Sequence, residues 1–310
     1  MKRVIVLSLA LLMVVSAVAL ADGAFSAFKS GVGARALAMG GAFVAVADDT
    51  TAVCWNPAGL AQLNDTRIGG MSTDLFGTGN THQFVGVTTT LSGFGLGLGW
   101  DRYAFAGSQN DATGNNTGAL TANASAFSLA LASSVLDMAK VGVSVKYYMG
   151  SILDNEASGF GFDLGLLVDL GDMFTLGVDA SDLGGSSIAW TSGTTNTVDA
   201  LYKAGMAMKL VDGNLVLASD VDFTDAGLGD VHVGLEFKVI EELALRGGVV
   251  LTDDFQNYYF SAGAGINVAG LYVDAAYLLN EQAGNTLVLS AEFSLGSLLG
   301  ETTEEELPTE

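Results

Sequence analysis

The chain has 310 residues, a formal net charge of −22, 50% hydrophobic residues, 41 glycines and only 2 prolines. Such acidity excludes nucleic acid as a partner, because phosphate recognition needs basic surface, and the apolar content excludes disorder and collagen. With one cysteine, Cys54, a disulfide framework is excluded as well.

Residues 1–21 have the parts of a signal peptide: Lys2 and Arg3, an apolar run from Val4 to Val15, and Ala19-Leu20-Ala21 as a small-residue cleavage site. The run is too short to span a membrane, and no later run has the length of a transmembrane helix. Cys54 lies far from that site, which argues against lipid attachment, and reads as a small structural thiol.

Residues 22–66 do not read as strand. Gly33-Ala34-Arg35-Ala36 is followed by Met39-Gly40-Gly41-Ala42, then Ala47-Asp48-Asp49, then Trp55-Asn56-Pro57-Ala58-Gly59-Leu60. Over about thirty residues this order resembles the N-terminal signature of the FadL-like outer-membrane proteins, closest to the PorV/PorQ family. The resemblance implies a plug in the lumen of a barrel, with Gly33, Arg35, Gly40, Gly41, Asp48, Asp49, Asn56, Pro57 and Ala58 as its motif residues. Arg35 is the only cation between Lys29 and Arg67, so inside a lumen it needs carboxylates. Asp48 or Asp49 are candidates, as are lumen acids such as Asp163 or Asp274. Asn56-Pro57 is expected to form the turn that redirects the chain into the first strand.

From residue 67 the pattern becomes period two. Phe94, Leu96, Leu98 and Trp100 alternate with Gly95, Gly97, Gly99 and Asp101, and Leu287, Leu289, Ala291 and Phe293 alternate with Val288, Ser290 and Glu292. About fourteen such runs follow, an even count suited to a single-chain transmembrane barrel. The expected spans are 67–76, 81–91, 93–105, 119–132, 139–151, 159–170, 174–182, 199–210, 214–223, 231–239, 243–251, 257–268, 271–279 and 285–295. Tight links such as Val211-Asp212-Gly213 follow even-numbered strands, and longer polar links, Ala106–Gly118 and Leu183–Val198, follow odd ones. Short periplasmic turns and long external loops have this alternation, which puts both chain ends on the turn side. The fold class is therefore all-β, an antiparallel up-and-down transmembrane barrel over 67–295 with an N-terminal plug and an acidic periplasmic tail, 296–310.

Charges within strands fall opposite the apolar set: Lys146, Asp163, Lys203, Asp220, His232, Glu236, Arg246, Asp274 and Glu292 form the expected polar lumen network. A soluble sandwich alternates too, but the apolar runs approach the roughly 9–11 residues of a tilted spanning strand, and the opposite faces are rich in glycine rather than Lys and Glu. Aromatics also sort by strand end. Trp100, Tyr147, Phe160, Tyr202, Phe223, Tyr258, Phe260 and Tyr277 fall at the outer ends, and Phe174, Phe237 and Phe293 at the inner ends, as membrane girdles do.

Other constellations have plainer readings. Gly31-Val32-Gly33-Ala34-Arg35-Ala36 matches a dinucleotide fingerprint but lacks the preceding strand and βαβ unit. Asp220, Asp222, Asp225 and Asp230 lack the order of a calcium loop and read as carboxylates paired with Lys203, Lys209 and Lys238, so no metal and no cofactor is expected. His82 and His232 stand in no nucleophile motif, and the chain does not read as an enzyme.

The resemblance implies residence in the outer membrane, with lipid around the wall, and passive passage of hydrophobic small molecules past the plug. Its alternative is a PorV-like docking barrel whose partner is a secreted protein. Wall glycines such as Gly95, Gly97 and Gly99 are expected to weaken strand pairing and loosen the wall for lateral release.

Overall fold

The computed structural model describes residues 25–110, 116–252, 256–280 and 284–296. Residues 1–21, expected as a signal peptide, and nearly all of the expected tail 296–310 lie outside the described residues. The strands are β1 (Arg67–Leu75), β2 (Asn80–Leu91), β3 (Phe94–Asn110), β4 (Asn116–Leu136), β5 (Ala139–Ile152), β6 (Asn155–Leu170), β7 (Phe174–Ser181), β8 (Ser186–Trp190) and β9 (Thr195–Val198). They continue as β10 (Leu201–Leu210), β11 (Leu215–Thr224), β12 (Gly227–Ile240), β13 (Leu243–Thr252), β14 (Asn257–Val268), β15 (Leu271–Leu279) and β16 (Thr286–Ser294). All but β8 and β9 form a closed ring of 14 antiparallel strands, in which β1 pairs with both β2 and β16 and β5 joins β6. Closure leaves no strand edge open, the condition for placing a sheet in lipid.

The period-two pattern decides the two faces. Leu129, Phe160 and Leu289 point outward at 57, 59 and 53% exposure, while inward neighbours such as Ser128, Asp163 and Glu292 are buried. A soluble sandwich would bury that apolar face, whereas here it forms the outer surface of the ring. An apolar belt of this extent belongs in a bilayer, and no helix among the described residues is long and apolar enough to cross one. Outward aromatics pair along the belt, Tyr147 with Phe160 at 4.9 Å and Tyr258 with Phe260 at 5.4 Å between ring centroids.

Two of the expected long links are strand. β3 and β4 run past residues 106 and 118, leaving only 111–115 between them, and those residues are outside the described set. The stretch 183–198 holds the β8–β9 hairpin. Its physical cause is an unpaired backbone: β7 is short and accompanies β6 only from Leu164 to Leu170, and β8 takes Ala157–Gly159 of the same strand.

Residues 25–66 pack against the inward face of the strands as a chain of short turns. The helical turn Ala34–Ala38 ends where Gly41 N donates to Ala36 O at 3.0 Å, with Gly40 and Gly41 both at positive φ. Glycine reaches that conformation without a Cβ clash, so the pair ends the helix in a Schellman-type turn. A second helical turn, Ala52–Trp55, leads into the 3-10 turn Pro57–Gln62, whose first position suits proline. Asn56 caps that turn by accepting from Ala58 N at 3.1 Å, and its Nδ2 donates to Val44 O and to Leu166 O of β6 at 2.9 and 3.1 Å. The turn expected at Asn56-Pro57 is thus present and also pinned to the wall.

The segment begins at an unexpected end of the barrel. Phe25 packs edge-on against Tyr148 and Trp190, at centroid distances of 5.9 and 6.2 Å, near the end of β5 remote from its turn to β4. The first described residue therefore lies at the loop end rather than beside Ser294 at the turn end, because the Phe25, Tyr148, Ile188 and Trp190 side chains find an apolar cluster there.

The wall glycines have a steric role. A Cβ on Gly177 would lie 2.5 Å from Val44 O, one on Gly97 2.9 Å from Leu60 Cδ1, and one on Gly99 2.9 Å from Val53 Cγ1. On Gly95, Gly142, Gly234 or Gly248 it would fall on segment backbone. β2, β3 and β4 meanwhile pair continuously past Gly95, Gly97 and Gly99. These glycines seat the segment.

Candidate functional site

Among the described residues the inward polar side chains gather in several groups around the N-terminal segment. The first lies toward the turn end. Arg35 Nε and Nη2 donate to the two oxygens of Glu236 on β12 at 2.8 and 3.0 Å, and Nη1 donates to Asp48 at 2.5 Å and reaches Asp49 at 3.5 Å. Arg246 on β13 donates to the same Glu236 and to Asp274 on β15, both at 2.6 Å. Glu292 accepts from Thr50 N at 2.7 Å and from Arg67 at 3.1 Å. Two-pronged carboxylate pairing of this kind is the strong form of a guanidinium contact. Asp49 also accepts from Thr51 N at 2.9 Å. Burial and the neighbouring Glu292 push its carboxyl up to about 7.

The wall partner of Arg35 is thus Glu236, whereas Asp274 joins through Arg246. Asp163 belongs elsewhere. It accepts from Lys146 at 2.8 Å, beside Asp182, which takes Lys146 at 2.7 Å and the Tyr148 hydroxyl at 2.8 Å. Asp182 and Tyr148 carry no motif that sequence could mark. Between β2 and β3, His82 lies 2.7 Å from Asp101 and stacks on Tyr103 at 3.9 Å.

A further group surrounds the loop-side face of the segment. Asp220 on β11 accepts from Phe43 N and Val44 N at 2.7 and 2.9 Å, capping the chain after the glycine pair. Lys203 on β10 donates to Asp222 at 3.0 Å and lies 5.5 Å above the Trp55 ring. His232 on β12 donates from Nδ1 to Gly40 O at 2.7 Å. Asp222 shares the inward parity of Asp220. Lys209 and Lys238, the other expected partners, lie near the turn ends of β10 and β12. Among the described residues no three His, Cys, Asp or Glu side chains gather as a metal site.

Two cavities flank the segment. One of about 890 Å³ opens toward the loop end, walled largely by apolar groups including Leu37, Leu75, Phe76, Phe105 and Leu278, with Trp55, Lys203, Asp222 and His232 low in it. The other, about 270 Å³, is at the turn end and is lined by the charged residues around Arg35 and Glu236. Val32, Met39, Phe43 and Val53, all fully buried, fill the core of the segment. The arrangement presents an apolar chamber on one side of a packed segment and a charged one on the other.

No family model and no curated protein matches the sequence. Solved structures do match. The toluene transporter TodX of P. putida aligns with a TM-score of 0.65 at 12% identity, over 86% of this chain and 99% of that one. The toluene transporter TbuX of Ralstonia pickettii aligns at 0.61 and 14%, over 86% and 98%, and a Pseudomonas aeruginosa FadL homologue at 0.63 and 12%, over 85% and 98%. The fold is of the FadL type. The first two are described as toluene transporters, and at such identity the likeness carries the architecture alone.

Proposed function

We propose that this chain is an outer-membrane barrel for the passive passage of hydrophobic small molecules, with residues 25–66 acting as its plug. The observation that carries the reading is the chamber of about 890 Å³ at the loop end, apolar along its walls and floored by the segment rather than by open water. Ligand chambers have this form, mostly apolar with a few placed polar groups. The belt of outward Leu, Val and Phe supplies the lipid contact, and the toluene transporters that share the fold agree in kind. Within the lumen, Arg35, Asp48, Asp49, Glu236 and Arg246 act as the polar latch of the plug, Asn56, Pro57 and Ala58 as its anchor on β6, and Gly33, Gly40 and Gly41 as the turns that fold it.

Uptake into proteoliposomes tests this directly. The intact protein is expected to admit a hydrophobic probe such as toluene faster than protein-free vesicles while holding back small ions, and deletion of residues 31–61 is expected to admit ions. If neither protein speeds entry of the probe, passage is refuted. A pull-down for a secreted protein, the PorV-like docking reading, then becomes the next experiment.

A further inference from the structure

On the outer face of the wall the strand registers set residues in rows. Val85, Trp100, Phe127 and Tyr147 stand side by side on β2 to β5, with Trp100 stacked on Phe127 at 6.4 Å between centroids. The row below it, toward the turn end, is Val87, Leu98, Leu129 and Val145. One step toward the loop end the row becomes Gln83, Arg102, Ser125 and Met149, and the next is Thr81, Ala104, Asn123 and Ser151. On these strands the apolar belt thus ends at the level of Arg102, just beyond the amphipathic rings that mark a membrane interface. Parity points Arg102 outward, because its neighbours Asp101 and Tyr103 face inward at 5 and 2% exposure. Every other cation on the described strands, from Arg67 on β1 to Arg246 on β13, has the inward parity.

Arg102 is held in place but not neutralised. Its Nη1 donates to Gln83 Oε1 on β2 at 3.0 Å and its Nη2 to Asn123 Oδ1 on β4 at 2.7 Å, so amides from both neighbouring strands fix the fork. Amides carry no charge, and among the described residues no carboxylate pairs with this guanidinium. The other outward acids of the described strands, Asp74 on β1 and Glu156 on β6, stand two and three strands away, and Asp74 already accepts from Gly79 N at 2.8 Å. A fixed guanidinium with uncancelled charge suits a phosphate, whose oxygens can accept parallel N–H bonds. We propose that Arg102, oriented by Gln83 and Asn123, binds the phosphate group of a lipid in the loop-side leaflet, whose chains lie over the row of Trp100 and Phe127. The net charge of −22 works against capture of a free anion from water, whereas a lipid is already held at the wall by its chains. The site is on the outside of the barrel and does not depend on passage through the lumen.

The test uses the full-length protein in phosphatidylcholine vesicles and reads the quenching of tryptophan fluorescence. Of the three tryptophans Trp100 faces outward, while Trp55 and Trp190 are packed inside at 4 and 9% exposure. Brominated acyl chains are supplied either on a minor component of phosphatidic acid or on the same amount of phosphatidylcholine. Phosphatidic acid is expected to occupy the site about tenfold above its share of the bilayer, the ratio that one net hydrogen bond to a charged group supplies. In Arg102→Gln, which keeps a polar side chain and removes the charge, the two lipids are expected to quench alike. Arg102→Lys keeps the charge without the fork and is expected to fall between. Equal quenching by both lipids in the unchanged protein overturns the site, as does an undiminished preference in Arg102→Gln. Loss of the preference when inorganic phosphate is added at constant ionic strength overturns the lipid assignment and shows a site for free anions instead.

Discussion

Removing the Glu236 carboxylate is the sharpest test of how the N-terminal segment is held. Glu236 takes two donors of Arg35 from the segment and one of Arg246 from the wall, and it is only 3% exposed. Taking one partner from a buried ion pair costs about 3–5 kcal/mol, because the other charge is left without compensation. Arg35 keeps Asp48, whose side chain is 41% exposed, and Arg246 keeps Asp274, so the lower end applies. About 3 kcal/mol corresponds to roughly a hundredfold shift from seated toward released segment. Glu236→Ala is therefore expected to raise single-channel open probability in planar bilayers about a hundredfold, with faster proteolysis of residues 30–60 in the same sample. Arg35→Ala in the Glu236→Ala background should add little, since the pair acts as a unit. An open probability within twofold of the unchanged protein, or full additivity of the two substitutions, would refute the latch.

Two further outcomes follow from the same geometry. Gly248→Val places a side chain on the backbone of Gly40, so ion leakage is expected to rise while the barrel keeps its heat resistance in detergent; a tighter channel would instead restore the view that wall glycines loosen the strands. The Asp49 carboxyl, raised to about 7 when the segment is seated, holds a proton more readily there than when the segment is free. The sign is fixed by that difference: its contribution to seating is complete below about pH 4, is lost as pH rises toward 7, and changes little above. Proteolysis of the segment should accelerate from pH 4 to 7, and Asp49→Asn should flatten the profile.

The period-two pattern alone determined most of the wall. Alternation is a local property, readable from neighbours two apart, and one buried or lipid-facing side sets the facing of every other residue. Hence the parity of each strand residue is legible in the sequence, and the break in the pattern before Arg67 marks where the strands begin. Charge logic also showed that Arg35 requires carboxylates and found Asp48 and Asp49. It did not reach Glu236, which is 201 positions away in sequence. Barrel closure, the short β7 that calls in β8, and the path of the segment decide which inward acid meets which cation. Those depend on register and on three-dimensional proximity. The same holds for the glycines, whose missing Cβ reads in sequence as weak strand and in the fold as room for the segment's backbone. His232 and Asp222 are likewise an inward histidine and an inward acid in the sequence. Only the fold sets His232 Nδ1 against the carbonyl of Gly40 and Asp222 beside Lys203.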